Sequence, residues 1–163
     1  MRQNAQGSQG AQATGRKKVQ RWNIRLLVWE INMLKQLADI VAVLILADAE
    51  VSSQEIAAFV VGCEGLGFKT EVIEKTLGES LQVVEKSSNQ DEFLQKACQS
   101  LPANRRDLAL AIGVSVVLAD EVLEQSEVDR LIALRLMLGL SEDSLIKFVA
   151  QMASVQPNLD VVV

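Results

Sequence analysis

An all-α fold, a bundle of about seven helices in two pseudo-symmetric halves, is what this sequence predicts. Three observations carry that expectation. Apolar residues make up 49% of the 163 residues and aromatics only 4%, so Leu, Val, Ile and Ala must build the core, a mixture that suits packed helices. Pro occurs twice, too seldom to punctuate a chain of short strands. The third is an internal repeat. LADAEVSSQE at 46–55 returns as LADEVLEQSE at 118–127, which puts Asp48 on Asp120 and Glu55 on Glu127 at one offset of 72 residues. The same offset carries Leu66-Gly67 onto Leu138-Gly139, Lys75 onto Lys147, and Ile56, Phe59 and Val60 onto Val128, Leu131 and Ile132. Two copies imply a pseudo-twofold domain, since a solenoid needs three or more units.

Residues 1 to about 15 hold Gln, Gly, Ala and Ser, with nothing aliphatic larger than Ala after Met1. They bury too little to offset the entropy of ordering, and no apolar run suggests a secretory signal. A first helix is expected from near Lys18. Trp22, Leu26, Trp29 and Met33 form one row on it, and Leu27, Ile31, Leu34 and Ala38 the next. Packing of Trp22 and Trp29 in the core is the favoured expectation, with the basic start RKKVQRW on an anionic membrane surface as the alternative. The unbroken apolar run at 40–47 suits a central helix, while Lys35 and Asp39 keep the stretch well short of the roughly 20 apolar residues of a membrane span.

Ser52 and Glu55 form a capping box for the second helix, which ends at Gly65 or Gly67. A third opens at Thr70 with Ile73, Leu77, Leu81 and Val84 inward. After the loop at 86–89, a fourth buries Leu94, Ala97, Cys98 and Leu101, and Pro102 closes it. Asn104 is expected to cap the fifth, whose face is Leu108, Ile112, Val116 and Ala119. The sixth runs from about Gln125 to Leu138, Gly139 ends it, and Ser141 caps a seventh with Leu145, Phe148, Val149 and Met152 inward. The terminal valines are expected to fray or to dock on a neighbouring subunit. The domain plan is therefore a basic, flexible arm at 1–22, a helical domain at 23–155 with halves of about 23–101 and 103–155, and a tail at 156–163.

The absence of His removes the Ser-His, Cys-His and imidazole-zinc chemistries, so an enzyme is not expected. Cys63 and Cys98 are in no CxxC spacing and read as buried thiols in a reducing, cytoplasmic setting. Six basic residues precede the first acidic one, Glu30; the net charge of −5 thus leaves −11 for the remainder, a field that repels nucleic acid. Each acidic turn sets an Asp at a helix end and a Glu one turn into the next helix. Oxygen-only donors suit a hard divalent cation such as Ca²⁺, Mg²⁺ or Mn²⁺, while helix capping accounts for the same residues with no ligand.

Leu46-Ala47-Asp48 with Glu55, repeated as Leu118-Ala119-Asp120 with Glu127 and followed each time by Leu-Gly, resembles the TerB-like tellurite-resistance family, related to the N-terminal region of DjlA co-chaperones. The resemblance covers about residues 23–155. It implies an all-α fold of two halves, a stress-response role linked to tellurite resistance, and divalent-cation binding by the paired acidic residues, which here would be Asp48, Glu55, Asp120 and Glu127. Family members usually carry Gly after the Asp, where this chain has Ala49 and Glu121. The positive-φ turn that Gly permits is thereby brought into question, and cation binding with it. The competing reading is a metal-independent module that recruits a protein partner, a second copy or an anionic membrane.

Overall fold

The computed structural model describes residues 12–47, 51–156 and 160–162, with side chains at 26–47, 51–121 and 123–156. Among the described residues seven α-helices run in order: α1 (Gln12–Leu46), α2 (Ser53–Glu64), α3 (Thr70–Glu85), α4 (Gln90–Ser100), α5 (Arg106–Val117), α6 (Gln125–Leu138) and α7 (Glu142–Val155). Two three-residue strands, β1 (Val122–Glu124) and β2 (Asp160–Val162), add a short parallel ladder. The all-α expectation holds, and α6 has the limits expected of it.

The chain divides into two units, Met1–Asn32 and Met33–Val163. The first contributes the leading part of α1, helical from Gln12 and so earlier than expected. Leu26, Leu27, Val28 and Ile31 are each more than half exposed there, and Trp29 is 40% exposed. Core packing of Trp29 is therefore a failed expectation; the side chain of Trp22 lies outside the described residues. The spacing agrees with this: four apolar residues in succession at 26–29 make a band broader than the stripe that one packed helix covers.

In the second unit the repeat extends into the core. Residues 34–45 of α1 and 106–117 of α5 are related by the same offset, and Leu37, Ala38, Ile40, Val41, Ala42, Leu44 and Ile45 match Ala109, Leu110, Ile112, Gly113, Val114, Val116 and Val117, all buried. α5 packs on α2, α6 and α7. Gly113 makes this close: a Cβ there would stand 2.8 Å from Leu134 Cδ2 and 3.2 Å from Leu44 Cδ1. The structural halves are thus residues 33–46 with α2 and α3, and α5 with α6 and α7. α4 packs on α6 and buries Leu94, Ala97 and Cys98.

Two local expectations are corrected. Asn104 does not cap α5: Ala103–Arg105 form a 3-10 turn after Pro102, and α5 starts from Arg105 without a side-chain cap. The second concerns the tail, whose residues 160–162 form a strand rather than fray. Its β2 pairs with β1 in the same chain, Leu123 opposite Val161, as suits a run of β-branched valines. Gln156 Nε2 donates to the Leu118 carbonyl at 3.0 Å and holds the chain against the end of α5 just before β2.

Candidate functional site: the acidic turns

At the first turn, the Ser52 N–H donates to Glu55 Oε2 at 2.9 Å and the Glu55 N–H donates to Ser52 Oγ at 3.0 Å, completing the predicted box. At the second, Glu124 replaces Ser52, yet its N–H donates to Glu127 Oε2 at 2.8 Å. Both repeated glutamates therefore do the same work: each sits at the third position of its helix and returns one carboxylate oxygen to the backbone that precedes it. Glu127 is buried, only 8% exposed, and Glu55 is half-buried.

The far ends of these helices repeat as closely. The Phe68 N–H donates to the Cys63 carbonyl at 3.3 Å and the Leu140 N–H to the Arg135 carbonyl at 3.1 Å, the same bond one offset later. Gly67 (φ 93) and Gly139 (φ 68) supply the left-handed residue that this closure requires. Two arginines that sequence reasoning passed over complete the end of α6. Arg106 Nη1 donates to the Leu138 carbonyl at 3.2 Å, and Arg135 Nη1 to the Leu140 carbonyl at 3.1 Å. For Arg135, a basic residue in the last turn of its helix was the available signal.

Asp48, Ala49 and Glu50 lie outside the described residues. In the second half, Asp120 and Glu121 are exposed on the turn. Glu121 adopts φ 65, so the left-handed backbone persists without the glycine that was expected to be needed. Among the described residues no three Asp, Glu or Cys side chains gather as a metal-holding group. One oxygen of Glu55 and one of Glu127 already accept from backbone N–H groups. Cys63 and Cys98 are buried free thiols, and burial pushes each up to about 12.

A helical module whose two halves each close a capped acidic turn onto a glycine-terminated helix is the class this geometry defines. A family model described as tellurite resistance protein TerB matches residues 34–150, which cover both halves, and the chain belongs to that family. Searches of curated proteins and of solved structures found no match.

Proposed function

We propose that this TerB-family chain works by binding, and that its leading helix engages an anionic membrane surface. The observation that carries this is the run Leu26, Leu27, Val28, Trp29 and Ile31, all exposed, directly after a segment rich in Lys and Arg. Basic residues near an anionic leaflet contribute about 1 kcal/mol each, and the apolar band supplies the area to bury in the interface. No helix among the described residues is long and apolar enough to cross a membrane, so contact at the surface is the geometry proposed. A cytoplasmic leaflet would supply the charge, and a stress-response role of the kind the family description suggests would act through recruitment there. Co-sedimentation with phosphatidylglycerol vesicles tests the reading. The full chain should pellet with them and not with phosphatidylcholine vesicles, and Leu26→Ser with Leu27→Ser should release it. Equal pelleting of both proteins, or indifference to salt, would overturn the proposal.

A second reading keeps the divalent cation at the acidic turns, Asp48 with Glu55 and Asp120 with Glu127. The left-handed backbone at Glu121 favours it, because that is the conformation the missing glycine would have supplied. Calorimetric titration of Ca²⁺, Mg²⁺ and Mn²⁺ into chelator-treated protein should then give heat that Asp48→Asn with Asp120→Asn removes. No heat at millimolar ion sinks it.

A further inference from the structure

The two halves differ where the repeat predicts sameness. In the first, Cys63, Ile73 and Leu77 close the seam between α2 and α3, all at 2% exposure or less. Their counterparts in the second half are Arg135, Leu145 and Val149, and these are only half-buried. The seam between α6 and α7 is correspondingly open, a cleft of about 520 Å³. Leu123 and Leu131 line it as buried residues, Val128 and Ile132 belong to α6, and Leu145, Ile146 and Val149 to α7. Its size and apolar walls are those of a small-molecule site.

Charge is confined to one end. Arg135 in the last turn of α6 and Glu142 in the first turn of α7 both line the cleft beside the connecting turn, while the opposite end has Leu123, Val128 and Val149. Arg135 spends Nη1 on the Leu140 carbonyl, but its buried Nε–H has no acceptor. Glu142 is exposed at the mouth. A cleft with one cation and one anion at its head and an aliphatic floor running about 10 Å from Arg135 to Val128 is complementary to an amphiphile. An anionic head alone would face Glu142, and a cationic head alone would face Arg135. We infer that the α6–α7 cleft binds a single-chain phospholipid with a zwitterionic headgroup, phosphate toward Arg135, cation toward Glu142, and acyl chain along Ile132 and Ile146 toward Leu123.

Dodecylphosphocholine below its micelle concentration is the probe, titrated into the full chain by calorimetry, with dodecyl sulfate and dodecyl maltoside as controls. One saturable site per chain is expected, preferring the phosphocholine to both controls. Ile146→Glu, at a position 57% exposed and so tolerant of change, should weaken it about tenfold. Glu142→Gln should remove the preference over dodecyl sulfate. The Leu26→Ser, Leu27→Ser protein should bind the probe unchanged, which separates this site from the leading helix. Absence of a saturable site overturns the inference, as does equal affinity for the maltoside or indifference to Ile146→Glu. A dimer in light scattering that Ile146→Glu dissociates would assign the cleft to a second copy and overturn it too.

Discussion

Glu121 stands at φ 65, where a side chain crowds the following carbonyl at a cost of about 1 kcal/mol or more. Glu121→Gly should therefore stabilise the chain by about 1 kcal/mol in urea unfolding, less what glycine adds to the freedom of the unfolded chain. A lowered midpoint would mean that the Glu121 side chain makes a compensating contact on the turn. The thiols give a second test at this scale. Burial raises Cys63 and Cys98 from 9.0 to about 12, so the folded chain keeps protons that the unfolded chain releases. Their contribution is fully present below pH 9.0 and declines as pH rises towards 12. Cys63→Ala with Cys98→Ala, though less stable at neutral pH because of the cavities left, should lose less stability than the parent between those limits. An equal loss would assign alkaline unfolding to other groups. Residue identity did not disclose the backbone at Glu121: absence of glycine argued against positive φ, and only the surrounding turn imposes it.

For the elements, capping chemistry was the most legible part of the sequence. Ser52 with Glu55, Asn89, and Ser141 each accept a backbone N–H at the start of the helix they were expected to precede or cap. The reach-back of Glu127 was concealed because Glu124 is not a usual capping residue, although the repeat pointed to it. Gly67 and Gly139 test whether the closures are equivalent. Added Cβ atoms would meet nothing within 4 Å at Gly67 and only Arg106 Nη1 at 3.5 Å at Gly139, so both substitutions act through the backbone alone. Gly67→Ala and Gly139→Ala should each cost about 1 kcal/mol in urea unfolding, and by similar amounts. A cost at one position only would show that the shared hydrogen-bond pattern does not carry shared energy. The placement of Trp29 escaped sequence reasoning for a different reason. Its spacing from Leu26 and Met33 fits a helix face, but Leu27 and Val28 between them are apolar as well, and a face requires polar residues opposite.

Across the whole molecule, one repeat sets the core while leaving its two halves unequally closed. The end of the first helix and the fifth helix were both expected from the sequence, and seven buried positions of 34–45 fall on seven buried positions of 106–117, while Leu34 and Val43 are buried where Arg106 and Ser115 are only half-buried. What the sequence concealed was the difference between the flanking helices. α3 and α7 carry similar inward apolar rows, yet α3 buries Ile73, Leu77 and Val84, whereas no residue of α7 is fully buried. Local opening free energy follows buried apolar contact, so the two should separate in native-state hydrogen exchange. Amides of α5, which buries seven residues, should exchange only through global unfolding. Those of α3 should follow closely, and those of α7 should exchange through a lower-energy opening, faster by at least about tenfold, which corresponds to about 1.4 kcal/mol. If α7 exchanges as slowly as α5, its half-buried contacts through Leu145, Phe148, Val149 and Met152 are worth as much as full burial, and the second half is as firmly closed as the first.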